Sequence, residues 1–120
     1  MLFLCYPKCS TCRKAKVFLD SRNLTYTLRD IKEANPTEEE LRQWHQKSGL
    51  PLKRFFNTSG LQYRALGLAK KLPEMSEEEQ YQLLASDGML VKRPILVKGE
   101  RVWVGFREKE WEELSEDLPE

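Results

Sequence analysis

The stretch Leu2-Phe3-Leu4-Cys5-Tyr6-Pro7-Lys8-Cys9-Ser10-Thr11-Cys12 constrains this chain more than any other. An apolar run of strand length is cut by a proline, and a helical pattern carrying two cysteines three positions apart follows at once. Ser10 or Thr11 is placed to cap a helix running to about Arg22. On it Ala15, Phe18, Leu19 and Arg22 follow helical spacing, the first three as an apolar stripe. Asn23 and Leu24 turn the chain, and Thr25 to Asp30 alternates with β-forming residues, which predicts a second strand. Strand, helix and strand within about 30 residues make a βαβ unit with parallel strands and a right-handed crossover.

The middle of the chain reads as helical. Thr37 as N-cap with Glu40 reaching back predicts a capping box, followed by Leu41 and Trp44 facing inward and Gly49 as the stop. Pro51 to Phe56 predicts a short helix, and Tyr63, Leu66 and Leu68 another. Ser76 and Glu79 repeat the capping box before Tyr81, Leu83 and Leu84, in a helix ending near Asp87-Gly88. Ile95-Leu96-Val97 then reads as a strand, Lys98-Gly99-Glu100 as a turn and Arg101 to Val104 as its antiparallel partner. A last helix is expected from about Arg107 to Leu114, with Trp111 and Leu114 inward.

The cysteines have three readings: a metal clip, a structural bridge or a working redox pair. A structural zinc site needs four ligands. Outside Cys9 and Cys12 the chain offers only Cys5, inside a strand, and His45 on a charged helix. A secreted disulfide framework fits poorly with three cysteines, an odd count. The opening apolar run is also too short for a signal-peptide core, and no run approaches the roughly 20 residues that span a bilayer. A cytoplasmic chain with reduced thiols is therefore expected. With 120 residues and a net charge of +1, it is one domain's length and carries no bulk basic field for nucleic acid.

The redox reading has a physical basis. The first turn of a helix presents unpaired N–H groups and the positive end of the dipole, and both favour a thiolate at Cys9. Lys8 and Arg13 add positive charge. The thiolate is the nucleophile, and Cys12, one turn on, is placed to resolve a mixed disulfide on Cys9. Two inert, half-buried cysteines remain the alternative, because CxxC alone is a moderate signal. Cys5 reads as a small core hydrophobe. Lys92-Arg93-Pro94 precedes the third strand, a position that suits proline. In thioredoxin-like folds a cis-proline here faces the reactive cysteine, and an ordinary trans proline at a strand start is the other reading.

Other features read as structure. The acidic runs TEEEL and SEEEQ fit first helical turns. Trp44, Trp103 and Trp111 fit the core. The cations of AKKLPEM and KRFF read as solvated surface, with Lys53 and Arg54 as the pair able to flank the site.

In combination and order, YPKCSTCRKA, LRDIKEANPTEEEL, FFNTSGLQYRALGL, KRPILV and RVWVGF resemble the ArsC/Spx family along nearly the whole chain. The resemblance implies an α/β, thioredoxin-like fold with a mixed four-stranded sheet and a helical insertion between strands 2 and 3. It implies a single domain over 1–120, its core at about 1–34 and 90–118 and its insertion at about 35–89. Cys9 matches the nucleophile that attacks arsenate in the family's reductases. Arg93 matches the arginine of the RP motif that helps hold the oxyanion, a task suited to a planar fork of donors. Pro94 matches the cis-proline. The reductases carry further arginines about where Asn57 stands and near Gly105. Arg54 and Arg107 lie close to those positions in sequence. Each missing charge-assisted contact costs about 1.5–3 kcal/mol, or about one to two powers of ten in binding.

Cys12 gives the chain an internal resolving thiol of the Spx type, where those reductases rely on glutathione. The resemblance thus implies a thiol–disulfide oxidoreductase with Cys9 and Cys12 as a redox-active pair. Lys8, Ser10, Thr11, Arg13, Arg93 and Pro94 shape its site. No bound cofactor is expected, but an external thiol reductant is, thioredoxin or glutathione/glutaredoxin. The expected partners are an oxidised thiol or disulfide substrate and a thiol reductant protein, with no direct nucleic-acid binding and no membrane. The alternatives are an Spx-like redox-sensing regulator docking on the C-terminal domain of the RNA polymerase α-subunit, and an arsenate reductase in the strict sense.

Overall fold

A computed structural model describes residues 1–114. The chain opens with β1 (Leu2–Cys5), α1 (Ser10–Ser21) and β2 (Thr27–Asp30). A helical block follows: α2 (Glu38–Ser48), a 3-10 turn (Leu52–Phe55), α3 (Leu61–Ala65), α4 (Leu68–Lys71) and α5 (Glu77–Ser86). The chain then returns as β3 (Ile95–Lys98), β4 (Arg101–Val104) and α6 (Glu108–Trp111). The sheet order is β2-β1-β3-β4, with β1 parallel to β2 and antiparallel to β3, and β3 antiparallel to β4. This is the expected mixed four-stranded sheet, with the helical block between β2 and β3.

The uninterrupted apolar run of β1 follows from burial on both faces. Side chains alternate across a strand, so Phe3 and Cys5 enter one core with α1, while Leu4 enters the other. Strand β3 divides the same way: Leu96 joins Phe3, and Ile95 joins Leu4. The first core contains Ala15, Phe18 and Leu19 of α1 together with Trp103, Trp111 and Leu114. The second holds Leu41 and Trp44 of α2, Tyr81 and Leu84 of α5, and the aromatics Phe55, Phe56 and Tyr63. All three tryptophans are buried, as their spacing predicts.

Both long helices of the block start on complete capping boxes. The Thr37 hydroxyl accepts from Glu40 N–H at 3.1 Å while Thr37 N–H donates to the Glu40 carboxylate at 3.0 Å. Ser76 and Glu79 exchange the same pair at 3.1 and 2.9 Å. Glu40 has a second role. Its carboxylate receives both ends of the Arg29 guanidinium, at 2.7 and 2.9 Å, which ties β2 to the start of α2. Gly88 seals the other end of the block against the exit from β2. A Cβ there would lie 1.9 Å from the Ile31 carbonyl oxygen.

Several boundaries differ from the sequence expectation. Strand β2 starts at Thr27, two residues later than expected, opposite Leu2, the first residue of β1. The Tyr63–Leu68 region forms two short helices, split at Gly67, whose φ of 64° turns the chain left-handed and leaves Leu66 exposed. Helix α6 is shorter than Arg107–Leu114: after Trp111 the chain tightens, with Leu114 N–H donating to the Trp111 carbonyl. Trp111 and Leu114 still point inward. The expected reach of the core to about 118 runs beyond the described residues. None of the described helices is long and apolar enough to cross a membrane.

Candidate functional site

Strand β1 ends at Cys5, and a tight turn closes with Cys9 N–H donating to the Tyr6 carbonyl at 2.9 Å. Cys9 is itself the N-cap residue of α1, with extended backbone, and its carbonyl accepts from Arg13 N–H at 3.1 Å. Ser10 and Thr11 were the expected caps. They instead occupy the first turn, exposed, because Pro7 and Lys8 complete the turn one residue earlier than the hydroxyl pattern suggests. The first turn of α1 contains no acidic residue, whereas those of α2 and α5 each contain three glutamates. The positive end of α1 is thus left to the sulphur.

The three thiols are differentiated by their surroundings. Burial pushes the Cys9 thiol up. The Cys12 N–H and thiol, the Arg93 guanidinium and the Thr11 N–H outweigh this and set it below the ordinary thiol value. The neutral Cys9 thiol makes no cap hydrogen bond; these donors act on its charged form. Cys12 is 2 % exposed, and burial, with the charge of Cys9, pushes its thiol up to about 12, although the Tyr6 N–H donates to its sulphur at 3.3 Å. Cys5 is buried on the same face. Burial also raises its thiol, and the neighbouring Cys12 side chain opposes that rise. All three cysteines are free thiols. One half-buried thiol, favoured toward its thiolate, therefore stands before a buried thiol held protonated, one helical turn away.

The opposite wall comes from the start of β3. Leu4 pairs with Ile95 and Ile95 with Val104, so the end of β1, the start of β3 and the end of β4 lie together. The Arg93–Pro94 peptide is cis, and the Pro94 carbonyl accepts from Gly105 N–H at 2.8 Å. The Arg93 guanidinium lies 5.4 Å from the Tyr6 ring centroid, one of its terminal nitrogens donates to the Met89 carbonyl at 3.4 Å, and it also acts on Cys9. Its buried Nε has no hydrogen-bond partner among the described residues. That leaves a directed cationic donor beside the thiolate.

Of the residues singled out from sequence, Cys9, Cys12, Arg93 and Pro94 converge at this end of the sheet. Lys8 is exposed, and Arg13 Nε donates to the Pro7 carbonyl at 3.3 Å, bracing the turn. Asn57 packs against Gly60. Gly105 has a φ of 79°, a conformation that disfavours a side chain there. Arg107 lies 3.7 Å from Glu110 as an ion pair, and Arg54 lines a separate cavity. Sequence reasoning did not single out Tyr6, which binds Cys12 through its N–H and Arg93 through its ring. It also treated Cys5 as core alone. The alternation of β1 already placed Cys5 on the α1 face; which helical residue it meets depends on the crossover.

A CxxC helix start set against a cis-proline on a β2-β1-β3-β4 sheet is the architecture of thioredoxin-like proteins. The ArsC family profile matches residues 4–114, and the chain belongs to that family. It is 54% identical over 113 residues to the uncharacterized protein YusI of Bacillus subtilis (strain 168), covering 94% of this chain and 96% of YusI. It is 27% identical over 104 residues to the global transcriptional regulator Spx of Staphylococcus aureus (strain Mu50 / ATCC 700699), covering 87% of this chain and 78% of Spx. A crystal structure of a putative ArsC family related protein from Bacteroides fragilis superposes with a TM-score of 0.93 at 57% identity, covering 95% of this chain and 96% of that one.

Proposed function

We propose that this protein is a thiol–disulfide oxidoreductase in which Cys9 is the nucleophile and Cys12 the resolving thiol. The observation that carries this reading is the contrast between the two sulphurs. Cys9 is held toward the thiolate by N–H donors and Arg93, while Cys12 is protonated and buried one turn behind. In the first step the Cys9 thiolate attacks one sulphur of an oxidised substrate. A Cys9–substrate disulfide forms, the substrate S–S bond breaks, and the leaving thiolate takes a proton from water. That step removes the negative charge of Cys9, one of the factors holding the Cys12 proton. Cys12 then loses its proton and attacks the Cys9 sulphur. A Cys9–Cys12 disulfide forms and the second substrate thiol departs. An external dithiol, of the thioredoxin or glutaredoxin type, returns the pair to its reduced form.

The test is trapping. C12S protein treated with a disulfide substrate is expected to accumulate a mixed disulfide on Cys9, seen by intact mass, while C9S protein reduces nothing. A folded C9S protein with full activity overturns the assignment.

A second reading is an Spx-like redox-sensing regulator, favoured by the 27% identity to Spx over 87% of this chain and by the Cys9-x-x-Cys12 pair, which the family resemblance ties to the Spx type. Binding of the purified C-terminal domain of the RNA polymerase α-subunit, measured with oxidised and with reduced protein, tests it; no binding in either state rejects it. Strict arsenate reduction is disfavoured by Asn57, which stands about where the family's reductases carry an arginine, and by Gly105, near which they carry another. Arsenate turnover with glutathione and glutaredoxin is expected to be slight.

A further inference from the structure

Cys5 has no part in the exchange between Cys9 and Cys12, yet it stands beside them. It is the last residue of β1, and strand alternation turns its side chain to the α1 face, into the same buried cluster as Cys12. The next residue holds both members of the pair. Tyr6 N–H donates to the Cys12 sulphur at 3.3 Å, and the Tyr6 carbonyl accepts from Cys9 N–H at 2.9 Å. The Tyr6 nitrogen is bonded to the Cys5 carbonyl carbon, so the Cys12 sulphur lies at most about 6 Å from the Cys5 Cα. Cys5 is 6 % exposed and Cys12 2 %, whereas Cys9 is half-buried. An external thiol therefore meets Cys9 first, with the other two sulphurs behind it.

Two effects favour passing a disulfide inward. The first acts on Cys5. Its thiol is held protonated by burial, by the charge of Asp30 and by the charge of Cys9, while the Cys12 side chain opposes them. A Cys9–Cys12 bond removes the Cys9 charge and so loosens the Cys5 proton. The second effect is the leaving group. In thiol–disulfide exchange the sulphur with the lower thiol pKa departs faster. Of the two sulphurs in a Cys9–Cys12 bridge, that one is Cys9, whose thiolate receives the Cys12 and Thr11 N–H groups and the Arg93 guanidinium. Cys12 is the sulphur that both other cysteines neighbour through its side chain, and Cys9 reaches Cys5 through charge.

We propose that Cys5 is a second resolving thiol, which takes the Cys12 sulphur over from Cys9 and stores the disulfide in the core. The proposal rests on the thiol–disulfide reading and extends it to a third residue of the same site. The Cys5 thiol gives up its proton to solvent, and its sulphur attacks that of Cys12. The Cys5–Cys12 bond forms, the Cys9–Cys12 bond breaks, and the electron pair leaves on Cys9 as the thiolate. Cys5 is oxidised and Cys9 is reduced, so no further oxidant or reductant is consumed. The oxidised protein then presents a free Cys9 again, while its disulfide lies between two buried residues. Its reduction has to run back through Cys9.

The test is which cysteine the oxidised protein leaves free. Reduced wild-type protein is oxidised with one equivalent of 2-hydroxyethyl disulfide and freed of small thiols. It is then exposed under native conditions to iodoacetamide, for the time that modifies Cys9 in reduced protein, and mapped by mass after acid quenching. The intact mass should first fall by two hydrogens. The oxidised protein should then take up one carbamidomethyl group on Cys9 and show a Cys5–Cys12 bridge in its peptide map. Oxidised Cys5→Ala protein, left with Cys9–Cys12 as its bridge, should take up none. The wild-type map decides by itself, whatever Cys5→Ala does to packing. Oxidised wild-type protein that keeps Cys9–Cys12 bridged and Cys9 unmodified overturns the role of Cys5 while leaving the redox pair intact. Wild-type protein that the disulfide leaves without any two-hydrogen loss overturns the thiol–disulfide reading itself.

Discussion

The Tyr6 backbone N–H donates to the Cys12 sulphur at 3.3 Å, from the residue directly after the β1 strand that ends in Cys5. The Cys12 thiol is thereby pinned to the end of β1 and buried. Burial dominates its titration and carries it from the ordinary 9.0 to about 12. In that window an unfolded chain loses the Cys12 proton while the native chain keeps it. Stability from this group is therefore present below about pH 9 and declines as pH rises toward 12. Urea unfolding of wild-type and C12S protein across alkaline pH should show a shallower decline for the variant. Parallel profiles contradict this.

Cys9 has the opposite sign. Its native thiol titrates below the ordinary value, so it adds stability as pH rises through the gap between the two. The rate of iodoacetamide alkylation against pH should give a midpoint below that of the same cysteine in the unfolded chain. Arg93 acts on the thiolate, so Arg93→Ala should move that midpoint upward; an unmoved midpoint removes Arg93 from the site's electrostatics.

The Arg29–Glu40 pair joins the sheet to the helical block through two short contacts and is only partly exposed. Arg29→Ala is expected to cost about 1.5–3 kcal/mol, read from denaturant midpoints. Arg29 holds the Glu40 carboxyl below the usual carboxylate value. Its contribution is therefore present above pH about 4.5 and lost as pH falls through the depressed value. The wild-type advantage over Arg29→Ala should shrink in acid to what the Arg29 bonds to the Ala34 and Asn35 carbonyls supply.

Gly88 touches the Ile31 carbonyl so closely that any side chain must displace backbone. Gly88→Ala should destabilise by at least about 1–3 kcal/mol without altering the alkylation midpoint of Cys9. A variant as stable as wild type means that this contact yields freely.

The parts legible in the sequence are those set by neighbours along the chain. The βαβ opening, both capping boxes and the proline at the start of β3 each depend on residues within a few positions. The convergence of Cys9 with Arg93 was read through family resemblance, since 84 positions separate them in the chain. The cap of α1 was misplaced because hydroxyl residues are the stronger statistical caps, while the Tyr6–Cys9 turn hands that position to a thiol. The proximity of Cys5 to Cys12 was half legible: strand alternation gave the face, and only the crossover gave the neighbour.

The turn between β1 and α1 is tethered at both ends, to the Tyr6 carbonyl before Cys9 and to the Arg13 N–H after it. The CxxC pair therefore sits on a corner of the fold held by hydrogen bonds on both sides of Cys9. On the proposed redox reading, oxidation of the pair alters only a small surface, a thiolate present or removed beside one guanidinium. On that reading, a partner that distinguishes the two forms must touch this corner.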